Sequence, residues 1–343
     1  MSERTAATSW IAARTHPASY PGEHPPSAFA LVDTEIVALE WTDPPDLAGI
    51  SFAAGGPLAR VLAERGLPAL EHRVPVLAYG GNRNPATLEL KLRHYNYRSP
   101  GLGIVLPVLQ ARLCRLDVVA GGLSSQGYLY ADLHSDESTS DVELDVHVLL
   151  LDDDQLRVMH ESEGTATGQY DVAVLGGISL VGPTAAEGAL AVLAYMGSTP
   201  VFVSPLTGTP LALSAVRARG RRLPEFDCVG MLAHALEAID VLADVDAVVT
   251  PTGAASGDAR ELAAELMRYL NGQWWYRRHT GDRRLRACER LEALLVERLR
   301  HYSTGKPRRL AGLERVLSPE AAFRPDPTLR LGHALRVHGA PLD

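Results

Sequence analysis

The chain has 343 residues, of which 46% are hydrophobic and 22% charged, a composition typical of a globular protein with one or two domains. Its formal net charge of −8 excludes a protein that is basic overall and coats nucleic acid. No apolar run approaches the roughly 20 residues that span a bilayer, and the first residues lack the apolar core of a secretory signal. The three cysteines are widely spaced and do not form a disulfide framework. We therefore expect a cytoplasmic protein without a membrane or nucleic-acid partner.

The N-terminal 73 residues read as an extension. Residues 1–30 are rich in Pro, Ser, Thr and Ala, which predicts a mobile or loosely packed arm. Residues 28–41 predict one or two strands, and residues 57–65 a short helix that begins at Pro57 and stops at Gly66.

A short apolar run, VPVLA at residues 74–78, predicts a buried strand. It leads into Tyr79, Gly80, Gly81 and Asn82, where two glycines free the backbone to present N–H groups, and then into a predicted helix over residues 85–93. Such N–H groups can bind an anion or a developing oxyanion.

Further strands are predicted over residues 111–119, 126–133, 142–150, 170–175, 178–181 and 189–196. Residues 142–150 alternate strictly, with Val142, Leu144, Val146, Val148 and Leu150 on one face. Helices are predicted over residues 152–160, 231–242 and 258–302. The last contains a cluster of Trp274, Trp275 and Tyr276, which we expect in the core or at a packing edge between the C-terminal helices and the rest of the fold, with a pocket wall as the alternative. The tail after Gly305 shows no strong pattern.

Glu163 is the candidate catalytic residue. It stands beside Gly164 at the predicted end of the helix that begins near residue 152. A carboxylate that is partly removed from water at such a position can act as a general base.

Four segments, in this order, resemble the γ-glutamylcyclotransferase-like family. The family's strand ending in Tyr-Gly-Ser-Asn is matched by VLAYGGN at residues 76–82, and its helix with Glu-Gly and Gly-x-Tyr by LRVMHESEGTATGQY at residues 156–170. LAVLAYM at residues 190–196 and RRLPEFDCVGMLAHAL at residues 221–236 match the last two segments. The resemblance covers about half of the chain.

The resemblance implies an α+β fold in which helices surround a small closed mixed β-barrel. We expect that barrel domain over residues 74–242, between the N-terminal extension 1–73 and a mainly helical C-terminal extension 243–343. It also implies an enzyme that releases 5-oxoproline from a γ-glutamyl amide. Glu163 would then be the catalytic acid and base, Tyr79, Gly80, Gly81 and Asn82 would hold the glutamyl end, and Tyr170 would line the same pocket.

This chemistry needs no metal and no cofactor, and the sequence has neither a nucleotide-binding glycine motif nor a His/Cys ligand cluster. The loop departs from the family at Gly81, where the family has Ser.

Two alternatives stay open: an acyl-transfer or amide-cleaving enzyme with another acyl group, and a non-catalytic module that binds a small amino-acid-like ligand. The leaving amine, the role of both extensions and the oligomeric state are not determined by these residues. Lys91 and Lys306 are the two lysines of the sequence, and all other Lys or Arg positions are arginine, a bias typical of GC-rich bacterial coding rather than of a function. The two extensions are compatible with a pocket for a larger leaving amine, such as an intermediate of a bacterial biosynthetic pathway.

Overall fold

The structure is a computed structural model that describes residues 4–41, 47–95, 103–181, 189–198, 200–249, 258–277, 284–302, 310–324 and 326–333. The side chains of residues 94–95, 189, 273–277 and 284–288 are outside this description, and so is the predicted aromatic cluster at Trp274, Trp275 and Tyr276.

The described residues form a mixed α+β fold, which confirms the predicted class. In chain order the strands are β1 (Thr5–Ala6), β2 (Phe29–Val32), β3 (Glu35–Trp41), β4 (Ile50–Phe52), β5 (Val74–Ala78), β6 (Val105–Cys114), β7 (Asp117–Leu123), β8 (Leu129–His134), β9 (Glu143–Leu151), β10 (Tyr170–Leu180), β11 (Ala189–Gly197), β12 (Ala212–Leu213), β13 (Ala218–Arg219), β14 (Glu225–Phe226) and β15 (Leu313–Leu317). The α-helices are α1 (Leu58–Glu64), α2 (Pro85–Tyr95), α3 (Asp153–Ser162), α4 (Cys228–Ala238), α5 (Leu242–Val249), α6 (Ala259–Arg277), α7 (Arg284–His301) and α8 (Pro319–Ala322).

Strand pairing joins five strands of the main sheet in a cycle. β6 pairs with β10, β10 with β11, β11 with β5, β5 with β9, and β9 with β6. Within this cycle the β11–β5 pairing is parallel and the other four are antiparallel.

The expectation of a small closed barrel needs correction, because the sheet continues past this cycle and has eleven strands in the described part of the chain. β6 is ten residues long, and one of its edges pairs first with β2 and then with β10. Through β2 the sheet extends to β3 and on to β1 and β4. A second sheet has the order β14-β12-β7-β8.

Two of the predicted boundaries are wrong for identifiable reasons. The strand predicted over residues 111–119 is two strands, β6 and β7, because Arg115 takes a left-handed backbone conformation (φ 62°) and donates its N–H to Val142 O. The tail predicted to lack a pattern contains β15, which pairs with β10. Its residues are mostly exposed, so no clean apolar alternation marks it in the sequence.

The alternation predicted for β9 is confirmed, and it divides the core. Val142, Leu144, Val146, Val148 and Leu150 all belong to one buried apolar cluster. On the opposite face, Leu149 and Leu151 belong to a second cluster. The C-terminal half of β9 is therefore buried on both faces.

The N-terminal segment packs against the sheet, which corrects the expectation of a loosely packed arm. Ala7, Ala13 and Tyr20 are buried, and the side chain of Asn84 donates to the carbonyls of Ile11 and Glu23. The predicted division into a domain and two extensions stays a prediction. None of the described helices combines the length and the apolar character needed to cross a bilayer.

Arg73 stands at the start of β5 and is fully buried. Its guanidinium donates to the carbonyls of Val105 and Leu150 and to Gln155 Oε1, each at 3.1 Å, and lies 3.7 Å from the carboxylate of Asp152. One side chain thus joins β6, β9 and the first turn of α3.

Replacing Arg73 by Met leaves these buried acceptors without their donor. We expect Arg73→Met to lower the free energy of unfolding by about 3 kcal/mol, measured by urea denaturation at 25 °C. The control is Arg60→Met, which removes the surface pair with Glu64 on α1 and should leave the midpoint unchanged. Equal losses in both variants would contradict this role for Arg73.

Candidate functional site

A cleft of about 390 Å³, here called the main cleft, opens where β5 ends. It contains all six residues that the sequence singled out: Tyr79, Gly80, Gly81, Asn82, Glu163 and Tyr170. Its other lining residues come from the N-terminal segment, β5, α2, the β7–β8 hairpin, the 162–169 region and β11: Ala13, Arg14, Tyr20, Leu77, Ala78, Thr87, Lys91, Ser124, Ser125, Gln126, Tyr128, Tyr130, Ala131, Ser162, Gln169 and Tyr195.

The 79–82 loop turns sharply away from β5. Gly80 has φ −114° and ψ −139°, and a Cβ placed on it would lie 2.8 Å from Tyr20 Oη, so only glycine fits this close approach. A 3-10 turn, Gly81–Arg83, follows, with Arg83 N–H donating to Gly80 O and Asn84 N–H to Gly81 O. The turn itself does not use the N–H groups of Gly81 and Asn82, which is the pattern of an anion-binding turn.

Glu163 comes to this loop from α3. The helix begins with a capping box formed by Asp152 and Gln155 and ends at Ser162 with Glu163 as its C-cap, because Gly164 takes the left-handed conformation (φ 65°). Glu163 Oε1 accepts a hydrogen bond of 2.9 Å from Asn82 Nδ2. The structure therefore brings together the two segments that stand about eighty residues apart in the chain.

Lys91 is a candidate site residue that the sequence analysis missed. Its ammonium, on α2, lies 2.5 Å from Glu163 Oε1 and 2.8 Å from Asn82 Oδ1. The side chains of Lys91 and Glu163 are only 11% and 13% exposed. A signal was present, since Lys91 is one of two lysines in a chain that otherwise uses arginine. A compact ammonium suits a position between two acceptors better than a planar guanidinium.

Both hydrogen bonds to Glu163 end on the same oxygen, Oε1. Neither involves Oε2, which leaves that oxygen for a bound molecule. Glu161, two residues earlier, turns away and pairs with Arg157 at 2.9 Å. Within the described residues no group of three His, Cys, Asp or Glu side chains is arranged to hold a metal ion.

Tyrosines form much of the wall. Tyr79 Oη donates to the carbonyl of Tyr195, and the hydroxyl of Tyr195 lies 2.9 Å from His160 Nδ1. Tyr20 stacks on Tyr128 with ring centroids 4.2 Å apart. The hydroxyl of Tyr79 is thus already used to hold β11, and its contribution to the cleft is the shape of the loop.

The phenols remain neutral. Burial raises the pKa of Tyr20, Tyr170 and Tyr195 well above the ordinary value, and the negative charge of Glu163 raises it further. A neutral phenol donates a hydrogen bond, so the hydroxyls of Tyr20 and Tyr170 suit an anionic or carbonyl oxygen, while that of Tyr195 already contacts His160. The sequence did not point to Tyr20, because its segment has the composition of a loose arm.

A cluster of the buried Arg83 and His147 and the partly buried His24 lies next to the 79–82 loop. Arg83 Nε donates to His147 Nδ1 at 3.3 Å, and its Nη2 lies 2.5 Å from His24 Nε2. Burial, and then the cationic Arg83, lower the pKa of His24 to about 4 and that of His147 to about 3. Both imidazoles are therefore neutral at pH 7 and serve as acceptors for the arginine. His147, which alternates with the apolar residues of β9, is itself buried.

No family model matches the chain, and no curated protein does. Two solved structures are similar to part of it. One is an uncharacterized protein from Homo sapiens, 19% identical, with 39% of this chain and 73% of that chain covered and a TM-score of 0.26. Another is a γ-glutamyl cyclotransferase, 18% identical, with 36% of this chain and 66% of that chain covered and a TM-score of 0.24. Similarity at this level identifies no activity, and the function has to be argued from the cleft.

The buried histidines predict acid sensitivity. Because the folded-state pKa values lie below the ordinary 6.5, the unfolded chain binds more protons between about pH 6.5 and 3. The contribution of these two histidines to the free energy of unfolding is therefore fully present above about pH 6.5 and is lost as the pH drops through this window.

We expect His147→Gln to reduce the slope of the free energy of unfolding against pH by up to about 1.4 kcal/mol per pH unit, the slope that one bound proton produces. The slope is measured in urea denaturation series between pH 7 and 4. The control, His72→Gln, replaces an exposed imidazole and should leave the slope unchanged. A wild-type slope in His147→Gln would show that this histidine does not carry the effect.

Proposed function

We propose that the protein is an enzyme of the γ-glutamylcyclotransferase type, which releases 5-oxoproline from a γ-glutamyl amide. The observation that carries the proposal is the position of the Glu163 carboxylate, which lies in a half-open cleft against the 79–82 loop and beside Lys91. The Glu163 carboxylate, the N–H groups of the 79–82 loop and the Lys91 ammonium therefore all line the main cleft.

The ion pair of Lys91 and Glu163 is complementary to the amino-acid end of such a substrate. An α-amino acid carries an ammonium and a carboxylate on one carbon. In the proposed complex the substrate ammonium faces Glu163, while its carboxylate faces Lys91 at the site where the two protein charges now meet 2.5 Å apart. Asn82, which contacts both charged groups, keeps them in place.

The reaction follows from this placement. Glu163 takes a proton from the substrate ammonium, and the neutral amine nitrogen attacks the γ-carbonyl carbon, forming the ring C–N bond. Since nucleophile and carbonyl belong to one molecule, the site mainly has to fold the glutamyl chain into a reactive shape.

The tetrahedral oxyanion is held in this proposal by the N–H groups of Gly81 and Asn82. Glu163 then returns protons to the departing nitrogen as the amide C–N bond breaks. Of the three ammonium protons, one stays on the lactam nitrogen and two leave with the amine, which departs as an ammonium ion. No water is consumed.

A second candidate function is favoured by the same ion pair. A carboxylate that already accepts from an ammonium at 2.5 Å is well placed to bind a zwitterionic ligand without any proton transfer. A non-catalytic amino-acid-binding module would show tight binding of γ-glutamyl compounds without release of 5-oxoproline. An enzyme with another acyl group would be recognised by the mass of its product.

The direct test replaces the base. We expect Glu163→Gln to lower kcat for 5-oxoproline release from γ-glutamyl amides by at least about 100-fold, the usual contribution of a general base. The matched control is Glu161→Gln on the same helix, whose carboxylate pairs with Arg157. Its kcat should stay within about twofold of wild type. Full activity of Glu163→Gln would exclude the assigned role.

A second test separates binding from chemistry. Removing the ammonium in Lys91→Met should raise KM by roughly tenfold or more, because a charged hydrogen-bond donor for the substrate carboxylate is lost. Lys91→Arg should restore part of this loss.

Arg93→Met serves as the control on the same helix, since that guanidinium pairs with Glu89 and does not line the main cleft. An unchanged KM in Lys91→Met would contradict recognition of the substrate carboxylate by Lys91.

A further inference from the structure

A second cleft of about 240 Å³, here called the side cleft, lies next to the main cleft. The two clefts share Tyr130 and Gln169 in their walls. We propose that the side cleft binds the leaving amine of the substrate and prefers an amine with an apolar body and a carboxylate. This proposal rests on the proposed function and adds the substrate class to it.

The border between the clefts is close to the reacting groups. Gln169 packs over Gly164, so that a Cβ placed on Gly164 would lie 2.8 Å from Gln169 Oε1. Gly164 directly follows Glu163, the residue that protonates the leaving nitrogen in the proposed reaction. Glu163, Gln169 and Tyr130 all line the main cleft, so the border lies in the same cleft as the proposed acid.

The other border residue, Tyr130, is held in a fixed position. A Cβ on Gly121 would lie 2.4 Å from its ring, and one on Gly122 would lie 2.9 Å from its hydroxyl. The ring therefore lies directly on the backbone of β7, and it also contacts the ring of Tyr170, with centroids 5.4 Å apart. Tyr130 is thus a rigid wall between the glutamyl site and the side cleft.

The lining of the side cleft indicates what it binds. Leu123, Phe202, Val296 and Leu299 give it an apolar wall, and the exposed Arg300 lies at its edge. A volume of about 240 Å³ exceeds the roughly 150 Å³ of an apolar cavity that takes up benzene. An aromatic or branched apolar group fits this space, and a carboxylate on the same amine would meet Arg300.

Two of these wall residues and Arg300 belong to α7, which lies beyond the segment that resembles the cyclotransferase core. The C-terminal helices thus acquire a function in this proposal: they complete the subsite for the leaving amine. A chain without α7 would lack both the apolar wall at Val296 and Leu299 and the cation at Arg300.

The test compares three γ-glutamyl compounds: γ-glutamylphenylalanine, γ-glutamylphenethylamine and γ-glutamylglycine. We expect kcat/KM for the phenylalanine compound to exceed that for the glycine compound by about tenfold or more. Val296→Trp, which fills the side cleft, should remove this preference by lowering kcat/KM for the phenylalanine compound. We also expect kcat/KM for the phenylalanine compound to exceed that for the phenethylamine compound, which lacks the carboxylate. Arg300→Met should remove only this second preference.

Matched controls lie on the same helix outside the side cleft. Ala293→Trp and Arg298→Met change exposed residues of α7 and should leave every ratio unchanged. Equal kcat/KM for all three compounds, or ratios that Val296→Trp does not alter, would overturn the assignment.

A binding measurement distinguishes failure of this proposal from failure of the proposed function. γ-Glutamylphenylalanine and γ-glutamylglycine are titrated calorimetrically into the Glu163→Gln protein and into the same protein carrying Val296→Trp. Tighter binding of the phenylalanine compound that is lost with Val296→Trp supports the subsite even if no 5-oxoproline forms. Equal affinities in the two proteins would exclude it, whatever the turnover.

Discussion

The ion pair between Lys91 and Glu163 determines the geometry of the main cleft. Removing two charges from water costs several kcal/mol for each ion, and only close pairing with further hydrogen bonds offsets that cost. Asn82 supplies them, since its amide donates to Glu163 and its oxygen accepts from Lys91. Three elements, the loop after β5, α2 and the end of α3, are thereby joined at one point. A change in the path of any of them would leave a poorly solvated charge.

The Glu163 end of α3 reaches the 79–82 loop because α3 and β5 have nearly the same length. β5 and β9 are antiparallel, with Val74 opposite Leu151, so α3 starts beside the beginning of β5. Ten helical residues rise roughly 15 Å, which is close to the roughly 16 Å covered by the five residues of β5. The helix therefore returns the chain to the level of the 79–82 loop, where Gly164 ends it. The apolar run, the capping box and the Glu-Gly pair are local signals, which is why the sequence could predict both halves of the site.

Other parts of the site depend on contacts between distant segments and leave no local signal. Tyr20 reaches the cleft from a Pro- and Ser-rich stretch, and its place is determined by Asn84, which holds the carbonyls of Ile11 and Glu23. Lys91 was visible only as a rare residue type on an ordinary helix. β15 is an exposed strand whose partner, β10, lies more than a hundred residues earlier. The length of β6 also escaped prediction, and with it the branch that turns a five-stranded cycle into a larger sheet.

The paired state of Glu163 has a consequence for selectivity. A ligand with only a positive charge would compete with Lys91 for the carboxylate, and a ligand with only a negative charge would compete with Glu163 for the ammonium. Either would leave one protein charge without its partner in a site that is little exposed to water. A zwitterion brings both charges, so each protein group exchanges one opposite charge for another and the net charge of the cleft does not change. In the proposed function, the ion pair therefore selects for the amino-acid head of a ligand before any difference in the rest of the molecule matters.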